Sequence, residues 1–256
     1  MSPARTHADV LVLCADLPVA LDFWQGVFGF ACARHGTQRA SLKLGAQSLE
    51  FFAPEPPPPR HPGALYAGTG IRVLGVLLDD LDGVCARLAA RGHRIAPAPA
   101  LPGSWPIRFV RDPEGNMLEL IGLPDSRRAE ALDRVQIGLT VADADRSRRF
   151  YGERLGLPEH PARPMGEGMT RHAFSVGDTT LKFWRRPEPL PNLAGPPGAA
   201  LGLRAIRIVL APGDDTLARA RAWVEPQPIA AGLPDHAGCV WIRDPDDNWI
   251  ELREAR

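Results

Sequence analysis

The stretch Arg111-Asp112-Pro113-Glu114-Gly115-Asn116-Met117-Leu118-Glu119-Leu120 returns as Arg243-Asp244-Pro245-Asp246-Asp247-Asn248-Trp249-Ile250-Glu251-Leu252. Each copy reads as a hairpin turn leading into a strand, because proline fixes one φ angle and glycine or aspartate tolerates the next. Earlier in the chain Asp16-Leu17, Phe23-Trp24 and Gly29-Phe30 return as Asp143-Ala144, Phe150-Tyr151 and Gly156-Leu157 at an offset of 127, whereas the turn copies lie 132 apart. A five-residue insertion accounts for the change of offset, and the chain reads as a duplication.

Residues 124–133 are polar and lack strand alternation, so they separate a first domain, 1–124, from a second, 133–256. Within each half, proline dominates 54–63 and proline with glycine dominates 187–198, and neither stretch can supply a regular hydrogen-bond ladder. Four modules result, at about 7–54, 68–124, 134–186 and 201–254. Val135, Ile137, Leu139 and Val141 alternate with more polar neighbours as a strand does, and a helix over about 145–155 then carries Phe150 and Tyr151. Strands at 170–176 and 179–184 flank a Gly177-Asp178 turn. The last module repeats the order with a strand at 205–210, a helix near 216–224 and strands at 239–242 and 249–252; helices near 19–28 and 81–91 place the first half in the same scheme.

Strand parity assigns faces, since residues two apart share a side. Val10, Val12, Leu49, Phe51, Leu74, Val76, Leu118 and Leu120 face helices in the first half, as do Ile137, Leu139, Leu181, Phe183, Ile206, Ile208, Ile250 and Leu252 in the second. The opposite faces carry Asp9, Glu50, Phe52, Val73, Gly75 and Glu119, and Gln136, Lys182, Trp184, Ala205, Arg207, Trp249, Glu251 and Arg253.

Bulk properties narrow the partners. Thirty Lys plus Arg balance 30 Asp plus Glu, which points away from nucleic acid and anionic membranes and toward small molecules. No apolar run approaches the roughly 18 residues of a membrane span, and no secretory core follows the N-terminus, so a cytoplasmic location is expected. Cys14, Cys32, Cys85 and Cys239 show no CxxC spacing and read as reduced thiols. Exposed sheet edges leave room for a homodimer.

The strand, Asp16-Leu17 or Asp143-Ala144, the helix with Phe-Trp or Phe-Tyr, and the closing Arg-Asp-Pro, Asn and Glu-Leu resemble the vicinal-oxygen-chelate superfamily of glyoxalases, bleomycin resistance proteins and extradiol dioxygenases. The resemblance covers nearly the whole chain outside the proline-rich loops. It implies an α+β fold, with four βαβββ modules forming two tandem domains of curled mixed sheets, and a divalent metal held in many members at module starts and ends. Carried over, the ligand places fall on Asp9, Glu50, Val73 and Glu119 in the first half and on Gln136, Lys182, Ala205 and Glu251 in the second. Neither set is intact, and an extradiol His, His, Glu iron site would need histidines at Gln136 and Ala205.

Asp9, Glu50 and Glu119, if they share an apolar cup, form a candidate site for Mn, Fe or Mg, with His7 as a further ligand. The alternative is that Asp9 lies at a frayed strand start, Glu50 pairs with an arginine such as Arg72 or Arg108, and Glu119 is a remnant. In the second half an ion pair of Lys182 with Glu251 would repel a cation and so disfavours metal there. Gln136, Lys182, Trp184, Arg207, Trp249 and Arg253 are its candidate binders of an anionic or aromatic ligand. Glu119, Glu251, His172 and His236 are the candidate acids and bases. Two functions fit: lyase, isomerase or oxygenase chemistry on a small oxygenated metabolite, or metal-independent sequestration of a small molecule of the antibiotic-resistance type.

Overall fold

The computed structural model describes residues 6–60, 63–97, 105–126, 135–223 and 238–255. The first module holds β1 (His7–Leu13), α1 (Leu17–Phe28), β2 (Ala31–Arg34), β3 (Arg39–Leu44) and β4 (Gln47–Phe52). The second holds β5 (Gly70–Leu78), α2 (Leu81–Ala90), β6 (Ala96–Pro97), β7 (Ile107–Arg111) and β8 (Met117–Gly122). In the third, β9 (Val135–Thr140) leads to α3 (Ala144–Arg148), which continues as a π turn over Arg149–Arg154, and then to β10 (Arg163–Gly166), β11 (Met169–Val176) and β12 (Thr179–Trp184). The fourth has β13 (Gly202–Leu210), α4 (Thr216–Trp223), β14 (Val240–Arg243) and β15 (Trp249–Glu254).

Local chemistry explains the repeated signatures. Asp16 and Asp143 are helix caps: their carboxylates accept from Val19 N at 3.0 Å and Arg146 N at 2.9 Å, satisfying amides the helix itself leaves open. Gly29, at φ 73°, closes α1. In the Arg-Asp-Pro turns the buried carboxylate is the organiser. Asp112 Oδ1 accepts from Glu114 N at 3.0 Å and Asn116 N at 2.9 Å, while Asn116 Nδ2 donates to Asp112 Oδ2 at 2.8 Å. Asp244 repeats the pattern with Asp246 N and Asn248. Glu114 and Asp246 then reach back to the chain ahead of the helices, accepting from Ala15 N at 2.9 Å and Ala142 N at 3.0 Å. So the most visible polar motif of the sequence is scaffold.

Modules pair across the halves. β1 runs antiparallel to β13, with Asp9 opposite Arg207 and Leu11 opposite Ala205. β5 runs antiparallel to β9, with Gly75 opposite Gln136 and Val73 opposite Gly138. The first sheet therefore has the order β14-β15-β13-β1-β4-β3-β2 and joins modules one and four; the second, β10-β11-β12-β9-β5-β8-β7-β6, joins modules two and three. At the junction, Gln47 donates to Thr179 Oγ1 and to the carbonyls of Ala8 and Val135, and Ala8 N donates to Thr179 Oγ1 at 2.8 Å.

The parity reading of the helix-facing residues holds: Val10, Val12, Leu49, Phe51, Leu74, Val76, Leu118 and Leu120 join Ile137, Leu139, Leu181, Phe183, Ile206, Ile208, Ile250 and Leu252 in one buried core. Each such side chain contributes roughly 1.5–3 kcal/mol of transfer free energy. Among the described residues no helix is long and apolar enough to cross a membrane.

Burial pushes the Asp112 carboxyl up from 3.8 to about 6, against the opposing pull of its hydrogen bonds from Asn116. A carboxyl raised in the folded state binds its proton more tightly there than in the unfolded chain, so its contribution to stability falls as pH rises from about 4 through 6. Asp112→Asn removes that titration. The unfolding free energy of the variant relative to the parent should move in the variant's favour by ~3 kcal/mol between pH 4 and pH 7. Urea denaturation at a series of pH values measures this, and a difference independent of pH would refute it.

Candidate functional site

On the second sheet, the face turned away from the helices centres on Lys182. Its ammonium donates to Gln136 Oε1 at 2.8 Å and forms a short ion pair with Glu119, from β8. The side chain of Lys182 is 4% exposed and that of Glu119 15%, so the charges are desolvated together. Strand register dictates the meeting. Gly75 lies between Gln136 on β9 and Glu119 on β8, and Lys182 pairs with Gly138, two residues along β9 from Gln136. A Cβ on Gly75 would stand 3.0 Å from Gln136 Cβ and 3.3 Å from Glu119 Oε2, so glycine keeps the centre open.

Around this centre the walls are apolar. Val73, Met169 and Trp184 are buried together, with Leu65, Tyr66, Met117 and Met165 packed on them. Apart from Met1, the chain's methionines are therefore all on this wall. Gly138 admits the Trp184 ring, since a Cβ there would meet Trp184 Cη2 at 3.1 Å. Arg171 faces the same way two residues before Ala173, which pairs with Lys182. Its guanidinium is held below the usual range by burial and by Arg163, against the pull of Glu119. The segment bearing Leu65 and Tyr66 covers the cup: Thr140 Oγ1 donates to Leu65 O at 3.2 Å, and the Arg186 guanidinium lies 4.6 Å from the centre of the Tyr66 ring.

The first sheet's cup is built otherwise. Arg207, projecting where the second sheet has Gly75, donates to Glu251 Oε2 at 2.7 Å. Asp9 accepts from Ser48 N at 2.7 Å, with His7 Nε2 at 3.6 Å and Arg253 Nη2 at 4.0 Å. Burial raises the Asp9 carboxyl above its usual range, while His7 and Arg207 oppose the rise. Glu50 accepts from Ser41 Oγ at 2.8 Å, and Ser41 Oγ in turn lies 2.8 Å from His35 Nε2. Trp241 and Trp249, edge to face with centroids 6.0 Å apart, pack with Leu11, Leu13 and Ala205 on this face.

Several expectations are corrected by these positions. Asp9, Glu50 and Glu119 do not share one hollow, because β8 belongs to the other sheet from β1 and β4. Lys182 pairs with Glu119 and not with Glu251, whose partner is Arg207. The second sheet's cup does not fit a divalent metal, since at its four ligand places stand Gln136, Val73, Glu119 and a lysine bonded to two of them; at the places of the first sheet's cup stand Asp9, Glu50, Ala205 and Glu251, the last bonded to Arg207. Among the described residues no group of three or more His, Cys, Asp or Glu is arranged to hold a metal ion. His172 lies on the helix side, its ring stacked on Phe183 at 5.5 Å and Nδ1 3.8 Å from Glu159, where burial lowers its pKa. His236 falls outside the described residues. Gln136, Lys182 and Trp184 do converge, whereas Arg207, Trp249 and Arg253 belong to the first sheet's cup. Arg171, Ser41 and His35 went unremarked in the sequence; Arg171 carried a signal, since it alternates with Ala173 opposite the helix-facing Phe174.

The sequence profile of the Glyoxalase/Bleomycin resistance protein/Dioxygenase superfamily matches residues 7–120 and again 132–252. A lactoylglutathione lyase of Arabidopsis thaliana, GLX1, is 27% identical over 161 residues, 60% of this chain and 55% of that protein. The chain thus spans about half the length of that curated relative. Glyoxalase I from Zea mays superposes with a TM-score of 0.74 at 19% identity, covering 96% of this chain and 92% of the maize chain. A putative dioxygenase from Bacillus subtilis gives 0.67 at 16% identity, covering 98% and 85%. At such identities the structures speak for the fold alone, but the twofold profile match spans most of the sequence, and the chain belongs to the Glyoxalase/Bleomycin resistance protein/Dioxygenase superfamily.

Proposed function

We propose that this chain binds a small oxygenated anion with an apolar body in the cup of modules two and three, and that it does so without a metal ion. The observation that carries the reading is the Lys182 ammonium, held by Gln136 and Glu119 at the centre of an otherwise apolar cup. A carboxylate or enolate oxygen placed beside that ammonium gains a charge-assisted hydrogen bond in a desolvated setting, with Arg171 adding a second positive charge. Methionine supports the binding role, since unbranched thioethers re-pack around ligands of different shape. Entry requires the wall of Met117, Met165 and Met169 to yield and the Leu65–Tyr66 cover to part from Thr140 and Arg186.

A second reading, lyase or isomerase chemistry in the same cup, is favoured by Glu119. Its carboxylate adjoins the ammonium, so a base lies beside the group that would stabilise an oxyanion. In that reading Glu119 takes a proton from the carbon next to a carbonyl, and the electron pair moves onto the carbonyl oxygen held by Lys182. In an α-hydroxy carbonyl the proton then returns to the former carbonyl carbon while the hydroxyl proton passes to the oxygen on that carbon, so carbonyl and hydroxyl exchange places and an isomerisation is complete.

Isothermal titration with short 2-oxo and 2-hydroxy acids bearing apolar tails should give binding that survives exhaustive chelation with EDTA. Lys182→Met should weaken it about 100-fold or more; equal affinity in the variant would sink the proposal. Lys182→Glu should exchange the internal cation for a third oxygen donor beside Glu119 and Gln136, and elemental analysis after dialysis against Mn should then find about one ion per chain in the variant and none in the parent. Stoichiometric Mn in the parent would show that the ammonium does not exclude metal. The two readings separate by NMR in deuterated water: catalysis predicts exchange of the bound ligand's α-proton, lost in Glu119→Gln while binding persists.

A further inference from the structure

The positive charge of the second sheet's cup continues outward from Lys182. Arg171 on β11 stands two residues from Ala173, the partner of Lys182, and is therefore its diagonal neighbour on the same face. Arg163 on β10, the edge strand of the sheet, pairs directly with Arg171. Met169 and Met165, each two residues from one of these arginines on the same side, pack on the cup wall, which fixes the side to which both arginines turn. Lys182, Arg171 and Arg163 thus step from the centre of the cup to its rim on three successive strands.

Like charges directly opposite in an antiparallel pair repel, and here the chain supplies nothing to offset the repulsion. The carboxylates on the adjoining segments are engaged elsewhere: Glu167 with Arg186 at 3.0 Å, Glu159 with Arg148 at 2.7 Å and Glu119 with Lys182. Among the described residues neither Arg163 nor Arg171 has a carboxylate partner. Arg171 Nε is buried and has no hydrogen-bond partner. That N–H is one prong of the planar fork with which a guanidinium grips a carboxylate or phosphate. The Arg171 guanidinium feels both Arg163 and Glu119, so it sits between the rim and the centre. Its counterpart 132 residues earlier, Arg39, is answered within the chain, lying 5.0 Å from the centre of the Phe52 ring.

We infer that the ligand of this cup is a dianion, with one oxygen group at Lys182 and a second anionic group, carboxylate or phosphate, taken at the rim by Arg171 and Arg163. This rests on the Lys182 reading and adds to it the second charge and the length of the molecule. Diagonal neighbours across a strand pair lie roughly 7–8 Å apart, the span of an acyl chain of about five or six carbons.

Isothermal titration of the full chain compares 2-oxohexanoate with 2-oxohexanedioate and with the 2-oxo acid of equal length that ends in a phosphonate. One of the two dianions should bind about tenfold or more tighter than the monoanion, and which of them does so tells carboxylate from phosphate. Added salt should lower that ratio, because Arg163 is exposed. Arg171→Gln should bring the ratio to about one. Arg163→Gln, at an exposed position that leaves the core untouched, should lower it about threefold and tests the pair even if the first variant does not fold. Equal affinity of the parent for mono- and dianions, or a ratio unmoved by Arg163→Gln and by salt, would overturn the inference. If 2-oxohexanoate binding still depends on Lys182 in that event, the metal-free cup stands and only the second charge is lost; binding of none of the three ligands overturns both.

Discussion

The hydrogen bonds that β1 makes to β13, and β5 to β9, hold everything else in place. A βαβββ module covers one face of its strands with a helix and leaves the other bare; pairing two modules edge to edge turns the bare faces into a common concavity. Because the pairing crosses the halves, each concavity draws one wall from each copy of the duplication. Glu119 meets Lys182 only by that choice of partner.

Duplicated positions have diverged in opposite senses on the two sheets. Glu50 in β4 corresponds to Lys182 in β12, and Gly75 in β5 to Arg207 in β13. Each cup has thus acquired one central cation, but from a different strand and with a different reach. The lysine leaves room because its opposite number on the central strand is glycine. The arginine fills its own cup and is backed by Trp241 and Trp249. One cup keeps an adaptable thioether wall around an ammonium, and the other is packed with aromatic rings around a guanidinium–carboxylate pair.

Much of this was legible from periodicity. Side-chain parity depends only on the local backbone repeat of two, so the helix-facing residues from Val10 to Leu252 could be assigned before any partner strand was known. Which strand lies beside which is a tertiary matter, and the grouping of Asp9, Glu50 and Glu119 failed there although each side chain was placed on the right face. His172 was a different kind of miss. The Gly177-Asp178 turn sets Val176 opposite Thr179 and hence His172 opposite Phe183, a helix-facing residue, so the signal lay in the hairpin register. The Arg-Asp-Pro turns announced the family through groups buried for scaffolding, and therefore said little about the reaction.

Pairing β1 with β13 has a consequence for the growing chain. As the polypeptide leaves the ribosome from its N-terminus, the inner edge of β1 is complete long before Gly202–Leu210 exists. During that interval the first module exposes an apolar strand edge, Val10 to Leu13, whose only proper neighbour lies nearly two hundred residues downstream. Modules two and three are adjacent in sequence, so both partners of their central pairing, β5 and β9, are made well before the last module.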